Sequence, residues 1–175
     1  MAQNIVQGVS LINLETFKDD RGAFESIWGK HQLFMSGLNF EPSSASFSYN
    51  TKKSTLRGMH YQASPYQQAK LVVCVNGKLW DVVVDLRKDS PTYKNWRAIE
   101  LTARSGKALF IPRGCAHGFL TLVDNTTLAY LIEGQYMPEQ SCVLSWNDPE
   151  IDIDWPIDDP ILSDRDKRAP WLSEL

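Results

Sequence analysis

The sequence predicts an all-β protein, a jelly-roll or meander barrel with a few short helices, and three observations support this fold class. Short apolar runs rich in β-branched and aromatic residues recur along the chain between Gly, Pro and Asn residues, which is typical of antiparallel sheets. Helical periodicity is confined to two short segments, residues 30–37 and 163–167. The 175 residues contain no internal repeat or linker, so a single domain over 1–175 is expected.

The composition narrows the class of protein. Apolar residues make up 43% and charged residues 22% of the chain, with a net charge of -3, which is typical of soluble globular proteins. Neither nucleic acid nor an acidic membrane is therefore an expected partner. The N-terminus lacks the pattern of a signal peptide, and the three cysteines are scattered without CxxC spacing. We expect reduced thiols in a cytoplasmic protein.

The clearest strand element is LVVCVNGKLWDVVVDL, residues 71–86. Asn76-Gly77 favours the positive φ angles of a two-residue turn, so the segment predicts a β-hairpin. The two-residue period of a strand divides the second half into an apolar face and a face that contains Asp81 and Asp85. The acidic residues suggest that the second face is wet or functional.

Other strand-like runs precede and follow this element. They are SFSYN at 46–50, LRGMHYQ at 56–62, ALFIP at 108–112, GFLTLV at 118–123, TLAYLI at 127–132 and CVLSW at 142–146. Turns are expected at residues 112–114 and at Asp124-Asn125. The tail from Asn147 to Leu175 contains four prolines, which predicts an irregular segment wrapped on the barrel.

Several polar residues lie on strand faces where chemistry is possible. Gly58, His60 and Gln62 share one face, and Lys70 and Tyr130 each share a face with apolar neighbours. By spacing alone, a satisfied core or surface histidine, a solvent-reaching lysine and a core tyrosine are the more common explanations.

Three further residues leave both a structural and a functional explanation open. His117 follows a Pro-Gly turn, where a structural cap and a ligand contact are equally reasonable. Arg21 and Arg57 have the forked donors that bind phosphate, although arginines are more often solvated charges. A metal site is not expected, because the three histidines are far apart in the sequence and form no HxH or HExxH motif.

Read together, an ordered series of motifs resembles the dTDP-4-dehydrorhamnose 3,5-epimerase family over nearly the whole chain. The series is DDRGAFES, LRGMHYQ, QQAKLVV, NGKLWDVVVDLRKDSPTY, IPRGCAHGF, WNDPEIDIDWP and LSDRD. The resemblance implies a jelly-roll (cupin-like) barrel, a nucleotide-sugar substrate, no metal or other cofactor, and a homodimer.

The resemblance also implies roles for individual residues. The matching positions are His60 as base, Asp166 as the aspartate that orients it, Lys70 as enolate stabiliser and Tyr130 as acid. His117 matches a substrate-contacting histidine, and Arg21 and Arg57 match phosphate-facing arginines. We also expect Phe24, Glu25, Phe47, Tyr49 and Gln62 to bind the substrate.

These residue types suit epimerisation beside a ketone. A proton at C3 or C5 next to a C4 ketone is weakly acidic, and histidine is the side chain whose ordinary pKa lies closest to neutrality. An aspartate would orient the imidazole, and an ammonium group would stabilise the charge that develops on the ketone oxygen. Inversion then needs a proton from the opposite face, for which Tyr130 is the expected donor.

Two departures from the family pattern leave the substrate open. Residues 45–49 read Ala-Ser-Phe-Ser-Tyr where many members have Gln-x-Asn-x-Ser, and Ser141 stands where glutamate is common. The hexose, the nucleotide and the inversion of C3, C5 or both therefore stay open. A sugar-nucleotide 3,4-ketoisomerase and a non-catalytic sugar-nucleotide-binding barrel are the alternatives, and Tyr130 and the C-terminal motifs argue against the first.

Overall fold

The computed structural model describes residues 5–35 and 37–175, whose regular secondary structure is almost entirely β-strand. The strands are β1 Ser10–Asn13, β2 Glu15–Asp19, β3 Gly22–Ser26, β4 Ser44–Asn50, β5 Leu56–Gln62, β6 Ala69–Asn76, β7 Lys78–Asp85, β8 Trp96–Thr102, β9 Lys107–Ile111, β10 Cys115–Thr121, β11 Thr126–Glu133 and β12 Ser141–Val143. The helices are α1 Lys30–Met35 and α2 Asp164–Lys167, with 3-10 turns at Pro138–Gln140 and Leu172–Glu174. The predicted all-β class with a few short helices is confirmed.

Ten of the strands form two five-stranded sheets that face each other. The strand order is β1-β9-β6-β11-β4 in the first sheet and β12-β5-β10-β7-β8 in the second. From β9 to β12, consecutive strands lie alternately in the first and the second sheet, which is the connectivity of a jelly roll. The remaining two strands, β2 and β3, pair only with each other as a separate antiparallel hairpin.

The predicted hairpin at Asn76-Gly77 is wrong. β6 pairs with β9 and β11 in the first sheet, whereas β7 pairs with β8 and β10 in the second. Gly77 does have the expected positive φ of 78°, and a Cβ there would lie 2.5 Å from Thr126 Oγ1. Gly77 therefore makes a sharp bend between two strands, and this bend is a corner that moves the chain from one sheet to the other.

The alternation of side chains along β7 separates two cores. Leu79 and Val83 point between the sheets and pack in a buried cluster with residues from both sheets, including Val72. Val82 and Val84 point outward into a second cluster, which the C-terminal tail covers with Ile151, Ile153 and Trp155. The predicted wrapping of the tail on the barrel is confirmed.

The acidic face of β7 is buried rather than wet. Asp81 and Asp85 are both fully inaccessible to solvent. Asp85 is bound by Arg87, Ser90 and Thr92 at 2.6 to 2.7 Å, which is a structural arrangement at the end of the strand. Asp81 instead lies on the inner face of the strand, close to the site described below.

Within residues 5–35 and 37–175, no helix combines the length and the apolar character that crossing a bilayer requires.

Candidate active site

A cavity of about 330 Å³ lies between the two sheets and opens to solvent. Strands of both sheets line it: β4, β6 and β11 on one wall, and β5, β10 and β12 on the other. Its volume falls within the range of small-molecule sites. The sequence-predicted residues that line this cavity are Phe47, Arg57, His60, Gln62, Lys70, His117 and Tyr130.

His60 lies on β5 and is held by an aspartate from the far end of the chain. Its Nε2 lies 2.7 Å from Asp166 Oδ1. The imidazole is 41% exposed, whereas the carboxylate is only 4% exposed, so the pair presents the ring rather than the acid to the cavity. Ser163 caps α2, because its Oγ accepts a hydrogen bond from the Asp166 backbone amide at 3.1 Å. The tail helix therefore fixes the position of this carboxylate.

The surroundings of Asp166 keep the carboxylate ionised. Burial, the largest single influence, raises the pKa of Asp166, but hydrogen bonds from His60, Ser163 and the Gly58 backbone, with the charge of His60, outweigh it. The pKa of Asp166 consequently lies below its ordinary value. An ionised carboxylate accepts the proton of one ring nitrogen and leaves the other nitrogen free to act as a base.

A glycine beside His60 allows the second sheet to close tightly at this point. Gly58 has a φ of 143°, and a Cβ there would lie only 2.5 Å from the Gly118 Cα on β10. The close approach of β5 and β10 sets His60 directly opposite His117 in the strand register. Both imidazoles therefore belong to the same wall of the cavity.

Lys70 and Tyr130 occupy the opposite wall, on β6 and β11 of the first sheet. Burial lowers the pKa of Lys70 to about 8, although the charge of Asp81 acts in the other direction. Burial also raises the pKa of the Tyr130 phenol, with a further rise from Asp81 and a smaller opposing influence from Arg57. Tyr130 is therefore a neutral phenol over the physiological pH range, able to donate a proton.

His117 and Asp81 form a second pair inside the barrel. His117 Nε2 lies 2.9 Å from Asp81 Oδ1, and both side chains are almost completely buried. The His117 ring contacts Tyr130 edge to face, with ring centroids 5.9 Å apart. The other oxygen of Asp81 is buried with no hydrogen-bond partner among the described residues. Sequence reasoning placed Asp81 on a functional face but gave it no role.

Arg57 and Phe47 lie at the opening of the cavity. Arg57 Nε donates to Asn50 Oδ1 at 2.7 Å, which orients the guanidinium while its remaining donors stay available. Phe47 is 59% exposed and stacks on Tyr49, with ring centroids 5.9 Å apart. Tyr49 itself does not line the cavity.

Gln62 lines the cavity, but its side-chain amide is already hydrogen-bonded to the backbone of neighbouring loops. Its Nε2 donates to the carbonyl oxygens of Tyr66 at 2.7 Å and Gln135 at 2.9 Å, and its Oε1 accepts from the Met137 amide at 2.7 Å. These bonds fix the loop that carries Tyr136 to the cavity. Its assignment as a substrate contact stays a prediction.

Arg21, Phe24 and Glu25 lie outside the cavity. All three belong to the exposed β2–β3 hairpin or its turn, where Arg21 Nη2 contacts Asp19 Oδ2 at 2.6 Å. The structure therefore does not bring these three predicted binding residues to the cavity of their own chain.

Arg165 is a cavity residue that sequence reasoning missed. It lies on α2 next to Asp166 and donates to the backbone oxygen of Ser141 at 2.8 Å and to its hydroxyl at 3.1 Å. The LSDRD motif could have predicted this, because the single helical turn that places Asp166 beside the cavity also places the preceding residue, Arg165, there. Among the described residues, no three His, Cys, Asp or Glu side chains converge as metal ligands would.

The chain matches a family model described as dTDP-4-dehydrorhamnose 3,5-epimerase over residues 3–174. A dTDP-4-dehydrorhamnose 3,5-epimerase from Sinorhizobium fredii (strain NBRC 101917 / NGR234) is 39% identical over 172 residues, covering 95% of this chain and 86% of that relative. The crystal structure of dTDP-4-dehydrorhamnose 3,5-epimerase from Bacillus anthracis, with TDP and PPi bound, has a TM-score of 0.91 at 40% identity and covers 94% of each chain.

A third comparison concerns ChmJ, a 3'-monoepimerase from Streptomyces bikiniensis in complex with dTDP-quinovose. It has a TM-score of 0.88 at 33% identity and covers 99% of this chain and 88% of that one. These matches do not favour the ketoisomerase or the non-catalytic barrel. Because the family model spans nearly the whole sequence and the relatives agree with it, the chain belongs to the dTDP-4-dehydrorhamnose 3,5-epimerase family and is an epimerase.

Proposed function

We propose that this epimerase inverts C3, C5 or both in a dTDP-linked 4-keto-6-deoxyhexose, with His60 as base, Lys70 as enolate stabiliser and Tyr130 as acid. The observation that supports this most directly is the convergence of His60, paired with Asp166, and Lys70 on one cavity from opposite walls. The bound molecules named for two neighbours, TDP with PPi and dTDP-quinovose, support the choice of nucleotide.

Each inversion is a balanced proton exchange. The ring nitrogen of His60 that does not bind Asp166 takes the proton from carbon, and the C–H electron pair moves into an enolate. The Lys70 ammonium stabilises the negative charge on the C4 oxygen, in the way that a preorganised oxyanion donor does. Tyr130, on the other wall, returns a proton to the opposite face of the carbon, and solvent restores both side chains to their starting states.

The remaining assigned residues suit the anionic part of such a substrate. Arg57 and Arg165 both line the cavity, and each has guanidinium donors that could contact a diphosphate. His117 is held by Asp81 in the wall near Tyr130, where it would contact the sugar. Phe47 offers an aromatic face at the opening, in place of one of the amides of the common family pattern.

Solvent exchange tests this function. The protein is incubated in heavy water with dTDP-4-keto-6-deoxyglucose, and proton NMR follows deuterium at C3 and C5. Exchange at both carbons is expected for a 3,5-epimerase, and exchange at C3 alone would identify a monoepimerase of the kind named for ChmJ. If no 4-keto-6-deoxy sugar nucleotide in a panel exchanged, the proposal would be wrong.

We also propose that the protein is a homodimer in which the β2–β3 hairpin of one chain completes the site of the other. The exposure of Phe17 and Phe24 on this hairpin supports an interface, and Arg21 lies outside the cavity of its own chain. Light scattering should give twice the 19.9 kDa of one chain. Mixing Arg21→Ala and His60→Ala chains should restore part of the exchange, because a mixed dimer contains one intact site; no recovery would contradict a shared site.

We further propose that the chain forms a single domain and is located in the cytoplasm. A single domain over 1–175 is supported by the tail, which both covers the second sheet and supplies Asp166 to the cavity. A cytoplasmic location is supported by the three free cysteines, two of which are buried.

A further inference from the structure

A second cavity, of about 610 Å³, lies on the outer face of the second sheet, where the C-terminal tail crosses it. It is larger than the cavity that contains His60, and both fall within the range of small-molecule sites. Adjacent residues of β7 separate the two: Trp80 lines the outer cavity, while Asp81 points between the sheets. A ligand in the outer cavity would therefore not touch the catalytic residues.

Tryptophan dominates the walls of this outer cavity. Four of the six tryptophans in the chain line it, namely Trp80, Trp96, Trp146 and Trp155. The Trp96 indole donates to the Asp152 carbonyl at 3.1 Å, and the Trp155 indole donates to the Trp146 carbonyl at 2.8 Å. Those bonds anchor two of the rings at their indole nitrogens. Trp80, Trp96 and Trp146 stay partly exposed, so part of their ring surface remains for other contacts.

The charge of the outer cavity is entirely negative. Asp152, Asp154 and Asp158 line it and are exposed to solvent, and none of the described residues that line it is a lysine, arginine or histidine. The catalytic cavity has the opposite character, since Arg57, Lys70 and Arg165 line it. Carboxylates without nearby cations repel phosphate, so a nucleotide does not suit the outer cavity.

The combination of indole faces and carboxylates is the one that binds organic cations. A cation is attracted to the negative face of an aromatic ring, most strongly to tryptophan, and quaternary ammonium groups are recognised in this way.

The structure assigns the outer cavity as a binding site for a small organic ammonium cation, held over the tryptophan faces and neutralised by the tail aspartates. The site lies outside the machinery proposed for epimerisation, so neither conclusion depends on the other.

Choline is a suitable probe because it combines a quaternary ammonium group with one hydroxyl. Choline chloride is titrated against the intrinsic tryptophan fluorescence, with sodium chloride added to equal ionic strength as the baseline. The neutral isostere 3,3-dimethylbutan-1-ol is titrated in parallel. Choline should give a saturable change and bind at least about tenfold more tightly than the isostere. No saturable change, or equal binding of the two probes, would overturn the assignment.

Matched charge variants test the location. Asp154→Asn combined with Asp158→Asn removes two carboxylates from the cavity and should weaken choline binding about tenfold, with little effect on the isostere. Asp89→Asn combined with Asp159→Asn removes the same charge from exposed positions outside the cavity and should leave choline binding unchanged. If both pairs weakened binding equally, only net charge would attract the cation and the site would be refuted. Thermal unfolding of each variant checks that the fold is intact.

Discussion

The molecule contains two histidine–aspartate pairs that differ in where their carboxylates come from and how much of each imidazole solvent can reach. His60 pairs with Asp166 across 2.7 Å, and its side chain is 41% exposed. His117 pairs with Asp81 across 2.9 Å, and its side chain is 4% exposed. The first aspartate arrives on a helix of the tail, whereas the second lies on the neighbouring strand in the same sheet.

This difference in exposure suits His60 to the proposed proton exchange and His117 to a fixed position in the cavity wall. An imidazole that takes a proton from carbon must reach the substrate and then pass the proton to solvent, and only His60 has that access. A buried imidazole bonded to a carboxylate instead fixes its neighbours, and His117 packs edge to face against Tyr130. In the proposed mechanism, the two histidine–aspartate pairs therefore have different roles, and the exposure of the imidazole distinguishes them.

The largest expected effect comes from replacing the exposed imidazole. His60→Asn keeps a polar side chain of similar reach but removes the base, so exchange of the C3 proton should fall by about 10³- to 10⁴-fold. The measurement is the initial rate of deuterium incorporation. His117→Asn is the matched comparison: it disturbs a buried polar pair and should lose thermal stability, by roughly 1 to 3 kcal/mol. Because His117 is a proposed sugar contact and not the base, its variant should lose far less exchange than His60→Asn. Equal loss of exchange in both variants would contradict the conclusion that only the His60–Asp166 pair supplies the base.

Removing the ammonium group should have the next largest effect. Lys70→Met preserves most of the side-chain volume and should reduce exchange by about 10²- to 10³-fold, the usual loss for one preorganised oxyanion donor. Substrate affinity, measured by calorimetry, should change far less than the rate. A variant that lost binding and kept its rate on bound substrate would show that Lys70 contacts the ground state only.

The pKa of Lys70 adds a pH dependence to this prediction. Burial lowers the pKa to about 8, and only the protonated form can stabilise the enolate. The proportion of active enzyme should therefore fall as pH rises through about 8, well below the ordinary lysine value of 10.5. A profile of kcat/KM for exchange reports this group in the free enzyme. Activity that stayed constant to pH 10 would contradict a charged Lys70 in catalysis.

Strand periodicity predicted which residues share a face, but it could not predict which strands pair. The alternation along residues 78–85 separates the inner face from the outer one as expected. Gly77 has the positive φ that the turn chemistry favours, yet this local chemistry is the same for a hairpin and for a corner between sheets. Pairing depends on contacts between residues far apart in sequence, which a local pattern does not contain.

The candidate site shows the same limit. Nothing local to Asp166 connects it with His60, 106 positions earlier, so only the ordered series of motifs linked the two residues. The amide of Gln62 looked available on a strand face, but loops around Tyr66, Gln135 and Met137 use it. Asp81 lay on a face noted as acidic, although its pairing with His117 required strand register that the sequence did not provide.

Tyr130→Phe should separate proton removal from inversion. Phenylalanine keeps the ring that packs against His117 but cannot return a proton to the opposite face. Deuterium exchange with retention should persist, while formation of the inverted product should fall by about 10²-fold. Proton NMR of the C3 and C5 signals measures both rates in one sample. If exchange and inversion fell together, Tyr130 would be acting in proton removal. The assignment of the base to one wall and the acid to the other would then be wrong.

The smallest expected effect comes from Asp81→Asn, which tests whether the His117–Asp81 pair influences Lys70 on the opposite wall of the cavity. The negative charge of Asp81 raises the pKa of Lys70 against the influence of burial. Asp81→Asn removes that charge and should move the alkaline limb of the exchange profile to lower pH, because the ammonium then loses its proton more easily. At neutral pH the rate should change by less than about tenfold, since catalysis by His60 is untouched. Asp89→Asn, an equal charge change at an exposed position, should leave the limb in place. If the alkaline limb of the profile stayed at the same pH in Asp81→Asn, Asp81 would act only on His117 and not on Lys70.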